Sequence, residues 1–230
     1  MKKFRLLLLI ILVGALFVTT SCGTATLEKA MEELDEKSST IECDLKMDVT
    51  IKSGQNSQSQ SQTIKIKVQQ DRNKTYAIYS AEGVEQHLYT VEENDTVKSY
   101  ELVNGKWQLS STDSADEMTD ELFDIDTDDA FSKVDGVWVG DVELLSNELS
   151  EYMKEIADNV LGLSGIELDQ TLVTKFDITL DKKHVSKIDF GMKIVMSNGS
   201  ASVEVAISMP MIVSEIGTTT VEEPANLPVE

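Results

Sequence analysis

The chain has 230 residues, of which 41% are hydrophobic and 27% are charged, a composition typical of a globular protein. Its formal net charge of −21 excludes nucleic-acid binding by counterion release, because phosphates repel a polyanion. Two Cys and two His are too few for a disulfide scaffold or a thiolate zinc site, and they leave little for His-based catalysis. We therefore expect no nucleic-acid partner, no metal centre and no cofactor.

The N-terminus has the pattern of an export signal. Met1–Arg5 is a short basic head, and residues 6–18 form a run of 13 residues without a charge or a hydroxyl. That run is short for a membrane-spanning helix, which needs about 20 apolar residues, but it fits the apolar region of a secretory signal. We therefore predict a signal peptide over residues 1–21.

The residues around Cys22 resemble the lipobox of bacterial lipoproteins, in which small residues precede a cysteine that is lipidated. The segment reads VTTSCG over 18–23 and departs from the pattern at Thr19, where the family usually has Leu. The resemblance implies that Cys22 becomes the mature N-terminus and anchors the chain stably, since two acyl chains suffice for stable binding. It places the protein on the outer face of the bacterial cytoplasmic membrane. An ordinary signal peptide or an uncleaved anchor is the alternative.

Beyond the signal, the sequence predicts a short tether at 22–26, one domain over 27–224 and an irregular tail at 225–230. A single domain is expected because no Pro/Gly-rich linker divides the chain. The domain begins with a helix predicted over Ala25–Lys37, because its apolar residues recur at helical spacing. These residues are Leu27, Ala30, Met31 and Leu34.

After this helix, the apolar residues recur at every second position instead of at helical spacing. Alternating apolar residues predict a long strand over Ile41–Ile51 with one apolar, buried (dry) face and one polar, solvent-exposed face. The Ser/Gln-rich segment 53–61 is predicted to be a polar loop, and the alternation resumes over 64–68 as a second strand. Shorter strands are predicted over 76–79, 87–91 and 97–102, followed by the Asn104-Gly105 hairpin signal.

The second half predicts helices and then strands. A short helix is predicted at 118–123, a brief strand at 137–139 and a long amphipathic helix over 144–163. Alternation predicts three further strands over 176–180, 188–196 and 203–213. The predicted fold class is α+β: a large curved antiparallel sheet with one polar face, whose apolar face is covered by helices.

These elements in this order, with the lipobox and the closing segment Ile216–Pro224, resemble bacterial lipoproteins of the LolA/LppX-like fold. The resemblance is strongest to uncharacterised members from low-GC Gram-positive bacteria. It covers most of residues 25–224 and rests on element order, with no catalytic motif. The resemblance implies a half-barrel with a hydrophobic cavity lidded by helices, and a non-enzymatic carrier of acyl chains or lipoproteins. No motif residue of the family carries over to this chain as a ligand contact.

The dry face of the predicted strands is the candidate binding surface for a lipid or other apolar small molecule. Its Met content suits irregular hydrophobic ligands, and burial contributes about 0.8 kcal/mol per CH₂. The alternative is a solid core with an acidic exterior that binds a basic partner or cations, and the sequence identifies no protein partner. The predicted lining residues are Leu45, Met47, Val49, Ile64, Ile66, Val68, Phe190, Met192, Ile194, Val205, Ile207 and Met209.

The other residue groups in the sequence give little support for a metal-binding or catalytic site. The acidic segment 124–135 partly matches a calcium-binding EF-hand loop, but Asp129 stands at the sixth position, which needs Gly. A solvated acidic loop is the simpler interpretation. No nucleophile elbow, P-loop or H-E-x-x-H motif is present, so we assign no catalytic residue and predict that the protein is not an enzyme. Cys43 is predicted to be a buried, inert thiol, and Trp107 and Trp138 are predicted to be packing anchors.

Overall fold

The structure is a computed structural model that describes residues 25–94, 96–114, 130–159, 167–197 and 201–228. Within these ranges the chain forms two helices and eleven strands, and all the strands belong to one antiparallel sheet. The helices are α1 (Ala25–Glu36) and α2 (Val142–Asn159). The strands are β1 (Ser39–Ser53), β2 (Asn56–Asp71), β3 (Lys74–Ala81), β4 (Val84–Glu93), β5 (Thr96–Val103), β6 (Lys106–Ser114), β7 (Phe131–Val134), β8 (Val137–Gly140), β9 (Glu167–Asp181), β10 (His184–Ser197) and β11 (Ala201–Ser214).

The sheet consists of two meanders joined at its centre. Its strand order is β6-β5-β4-β3-β2-β1-β11-β10-β9-β8-β7, so the first strand pairs with the last one. Met47 lies opposite Ile207 and Val49 opposite Val205 across this central pair. Because β6 and β7 stand at the two ends, the described sheet is open, which is consistent with the predicted half-barrel.

The prediction of a polar loop at 53–61 is wrong. The structure has only the two-residue turn Gly54-Gln55, with Gly54 at a φ of 58°, and β2 begins directly after it. The polar residues pair in register with β1, and the Thr50 and Ser59 hydroxyl oxygens lie 2.9 Å apart. Residues 56–61 are exposed, so they need no apolar alternation. Backbone hydrogen bonds to β1 and a tight turn at glycine therefore form this strand, and the hydrophobic pattern of the sequence does not indicate it.

Both long helices were predicted, with small differences at their ends. Helix α1 ends at Glu36, one residue before the predicted end. Helix α2 begins at Val142 because Asp141 caps it, its Oδ1 accepting hydrogen bonds from the amides of Glu143 (3.0 Å) and Leu144 (3.1 Å). The predicted strand at 137–139 is β8, whereas the helix predicted at 118–123 lies outside the described residues.

The inner face of the sheet carries the main core. Phe176 of β9 is 2% exposed and packs edge-on against Phe131 and Phe190, with ring centroids 5.1 and 5.5 Å away. Apolar residues from both helices are buried in the same cluster as the strand residues, which indicates one continuous core. The buried helix residues are Leu27, Ala30, Met31 and Leu34 of α1, with Leu145 and Leu149 of α2.

The outer face is not polar throughout, which corrects a second expectation. Its β4–β5 end carries a separate cluster in which Tyr89, Val91 and Tyr100 are buried together with Val221. Val221 comes from the segment that follows β11, so this segment crosses the outer face of the sheet. Residues 225–228 have an irregular backbone, and Leu227 packs against the same cluster.

The segment after β11 is held by polar contacts at its start. The Thr40 hydroxyl donates to Glu215 Oε2 over 2.8 Å and lies 3.0 Å from the Thr219 hydroxyl. The Gly217 amide donates to the Ser38 carbonyl over 2.7 Å. We call residues 215–225 the C-terminal strap, because they cross the sheet and are fixed at both ends of their first turn.

Candidate hydrophobic ligand site

The structure places the predicted lining residues on one face of four neighbouring strands. Residues directly opposite each other in an antiparallel sheet share a face. Val49, Val205 and Ile194 form one row across β1, β11 and β10, and Leu45 of β1 faces Ile64 of β2. The period-two pattern therefore grouped residues that do share one face of the sheet, although it contains no information about which strands are neighbours.

Most of this face is already packed. Nine of the twelve predicted lining residues are buried, and Leu45 is 0% exposed. Met47, Val49 and Val205 are half-buried. The buried ones are Leu45, Ile64, Ile66, Val68, Phe190, Met192, Ile194, Ile207 and Met209.

Burial falls steadily toward the tips of the central strands. Along β1 the inward residues change from buried at Leu45, through half-buried at Met47 and Val49, to 47% exposed at Ile51. Ile51 lies opposite Val203, which lies opposite Met196, so the exposed end is apolar across three strands. We call the set Met47, Val49, Ile51, Met196, Val203 and Val205 the distal apolar surface.

Three members of the distal apolar surface were missing from the predicted lining. Ile51, Met196 and Val203 belong to the same alternating pattern as the predicted residues, so the pattern already contained the signal for them. The neighbouring edge is polar: Gln58 lies opposite Ile51 and Gln60 opposite Val49. These glutamines were missed because their strand had been predicted as a loop.

Buried polar groups also lie on the inner face. The Tyr79 hydroxyl, Thr171 Oγ1 and Trp138 Nε1 are buried and have no hydrogen-bond partner among the described residues. Tyr79 lies opposite Ile66, and Thr171 lies opposite Ile194. Burial raises the pKa of the Tyr79 phenol, so it remains a neutral donor. A buried polar group left unpaired costs about 1–3 kcal/mol.

The single described thiol belongs to this face and is inert. Cys43 is buried and free, as the sequence predicted. Burial, with a smaller contribution from Asp44, raises the pKa of the Cys43 thiol to about 12. The reactive thiolate is therefore scarce at neutral pH.

We expect Cys43 to resist alkylation in the folded protein. At pH 8, iodoacetamide should modify Cys43 at least about 100-fold more slowly in buffer than in denaturant, because the thiolate fraction falls tenfold per pKa unit and access is blocked. Mass spectrometry of timed samples measures both rates. Equal rates in the two conditions would contradict the buried, neutral thiol.

Across the described residues, no group of three His, Cys, Asp or Glu side chains is arranged to hold a metal ion. Nor does any helix in those ranges combine the length and apolarity that a membrane span needs. Residues 124–129 of the acidic segment lie outside the described part of the chain, and so do Cys22 and the predicted signal peptide at 1–21.

The described end of the acidic segment does not continue as an EF-hand would. Asp135 and Gly136 form the turn between β7 and β8, and Asp135 has a φ of 49°. An EF-hand loop ends by leading into a helix, whereas this segment ends in a β-hairpin. Asp135 therefore does not occupy the twelfth position of such a loop.

No family model and no curated protein sequence matches the chain. A solved putative outer membrane lipoprotein-sorting protein domain from Vibrio parahaemolyticus is similar at 11% identity, covering 85% of this chain and 94% of that chain with a TM-score of 0.26. A DUF1329 family protein from Desulfovibrio piger is similar at 8% identity, covering 86% and 93% with a TM-score of 0.27. At these TM-scores neither similarity bears on function.

Proposed function

We propose that this protein is a membrane-anchored extracytoplasmic lipoprotein that binds a lipid or other hydrophobic ligand on the inner face of its sheet, without catalysing a reaction. The observation that supports it best is the distal apolar surface. There the inward face of β1, β11 and β10 continues past the packed core and leaves Ile51 47% exposed.

The energetics favour a ligand with a long apolar chain. Burial of about 12 methylenes contributes roughly 10 kcal/mol, and association costs at least about 4 kcal/mol of that. The remainder corresponds to a dissociation constant on the order of tens of micromolar. The unpaired Tyr79 and Thr171 hydroxyls on the same face suit a carbonyl or hydroxyl group on such a ligand.

The tether is short, which suits exchange with the bilayer. Only Gly23 and Thr24 stand between Cys22 and the start of α1, and Leu27 in the first turn of that helix is 0% exposed. Three extended residues reach about 11 Å at most, so a lipid on Cys22 holds the sheet beside the membrane surface. Removal of residues 1–21 takes three bases and no acids from a chain whose net charge is −21, and the remaining excess of acids opposes flat contact with anionic headgroups within a Debye length of about 8 Å.

Native mass spectrometry tests ligand binding. The anchored protein, extracted from membranes in mild detergent, should carry lipid that survives transfer and is released on unfolding. Repeated absence of bound lipid would contradict the proposal.

The burial of nine predicted lining residues favours the second candidate, a solid acidic interaction module. In that case, cross-linking in cells should capture a basic partner in a salt-sensitive manner.

Replacement of the proposed lipid attachment site tests the anchor. Cys22→Ala should move the protein from the membrane fraction to the soluble or secreted fraction, because stable anchoring needs the acyl chains. Fractionation with metabolic labelling by a tagged fatty acid measures both location and acylation. Cys43→Ala is the matched control and should remain labelled and membrane-bound. Retention of Cys22→Ala in the membrane would indicate an uncleaved anchor instead.

A further inference from the structure

The outer face of the sheet holds a cavity that the proposed function does not use. It has a volume of about 710 Å³ and lies between β2–β6 and the C-terminal strap. Its strand residues include Tyr76 and His87, whereas their neighbours Ala77 and Leu88 belong to the core on the inner face. Since successive strand residues point to opposite faces, this cavity and the distal apolar surface lie on opposite sides of the sheet.

Three rings form one wall of the cavity. The Tyr76 and Trp107 ring centroids are 6.3 Å apart with planes inclined at 60°, and Tyr76 and His87 are 6.0 Å apart at 46°. The Tyr76 hydroxyl and His87 Nδ1 lie 2.7 Å apart, which orients both rings. Inclined aromatic faces make a corner in which one group can contact two π systems at once.

The strap forms the opposite wall and is acidic. Glu222 and Glu223 line the cavity, and no Lys or Arg is among its lining residues, all of which are described. On the same face of the sheet, His87 Nε2 lies 3.7 Å from Glu85 Oε2. This charge distribution attracts cations and repels phosphates and carboxylates.

The strap wall is fixed in place. Val221 is 8% exposed and is buried with Tyr89 and Tyr100, directly before the two glutamates. Burial, and then the charges of Glu223 and Glu93, raise the pKa of Tyr89 to about 12. The cavity is therefore formed before any ligand arrives, which lowers the cost of binding.

We propose that this cavity binds a small organic cation, specifically an alkylated or quaternary ammonium group, between the Tyr76–Trp107 corner and the Glu222–Glu223 wall. Quaternary ammonium groups are recognised by aromatic faces, and the carboxylates supply the opposite charge. The volume falls within the range of about 300–1,000 Å³ that small-molecule sites occupy. A phosphate-bearing headgroup is disfavoured by the two glutamates.

Calorimetry with choline and with its neutral carbon isostere 3,3-dimethylbutanol tests the proposal on the full mature chain. Choline should bind with measurable heat, and the isostere, which has the same shape without the charge, should bind at least about tenfold more weakly. Equal affinity for the two compounds would overturn the proposal, as would no binding of choline at about 10 mM.

Substitutions test the aromatic wall and the acidic wall of the cavity independently. Trp107→Leu should weaken choline binding by about 3- to 30-fold, the range expected for loss of one cation–π contact. Glu222→Gln/Glu223→Gln should weaken it several-fold and reduce its salt dependence, without requiring any change in the core. Glu36→Gln/Glu148→Gln removes the same charge from exposed positions outside the cavity and should leave affinity within about twofold. Equal losses in the two double variants would show a general charge effect and overturn the site.

Discussion

Replacement of Phe176 by Ala is expected to destabilise the fold by about 3–5 kcal/mol, a large share of the total stability of a typical domain. Phe176 is 2% exposed and belongs to the inner core, on the third strand from the β7 end of the sheet. Its ring contacts Phe131 and Phe190 at interplanar angles of 77° and 82°. Such edge-to-face pairs contribute about 0.5–1.5 kcal/mol each beyond burial, so the substitution loses both packing and ring contacts.

Urea unfolding followed by circular dichroism measures this effect. The Phe176→Ala midpoint should fall while the slope remains unchanged, because a loss of stability without a change in exposed surface shifts only the midpoint. Leu109→Ala is the control, since Leu109 is 40% exposed, and its effect should stay within about 0.5 kcal/mol. A Phe176→Ala midpoint equal to that of Leu109→Ala would show that the three rings do not form the core as described.

The second large effect is expected on ligand binding. Ile51→Gln/Met196→Gln should lower the affinity for an acyl ligand at least about tenfold, because two apolar side chains that a ligand would bury become polar. Both residues flank Val203 on the distal apolar surface. Ile51→Gln alone should change stability little, since Ile51 is already 47% exposed. Met196 is half-buried against the inner core, so urea unfolding of the double variant must show that it is folded under the binding conditions.

Displacement of a fluorescent fatty acid from the soluble Cys22→Ala form measures this affinity. Ile212→Gln is the matched control for Ile51→Gln. Ile212 is 49% exposed and pairs with Glu42, whose neighbours Ile41 and Cys43 are inward, so it lies on the outer face. Ile51→Gln alone should weaken binding severalfold and Ile212→Gln should not. Equal affinities of the two single variants would place the ligand site elsewhere or favour the solid-core alternative.

The inner core was predictable from the sequence to a large extent. Apolar residues recur at every second position over Ile41–Ile51 and at every third or fourth position over Leu27–Leu34. Each spacing identifies one buried face, because side chains that share a face recur every two residues in a strand and about every 3.6 residues in a helix. The predicted lining follows from the same rule. The sequence did not predict where along the strand burial ends. The alternating pattern is the same at Ile51 as at Leu45, although these residues are 47% and 0% exposed.

The outer face was missed for a different reason. Tyr76, Tyr89 and Trp107 come from three strands, and Val221 comes from a segment more than a hundred residues later in the chain. No local period connects them, so Trp107 could be predicted only as a packing anchor. Its place beside a cavity depends on the strap, whose course is set by the contacts of Thr40 with Glu215 and Thr219.

The sequence by itself determined the α+β class, both long helices and the apolar face of the sheet, because local periodicity and composition record which side of each segment avoids water. The tertiary structure alone decided that β1 pairs with β11, that a polar segment becomes part of β2, and that the strap closes an aromatic cavity. These features arise from contacts between residues far apart in the chain, and such contacts leave no period in the sequence.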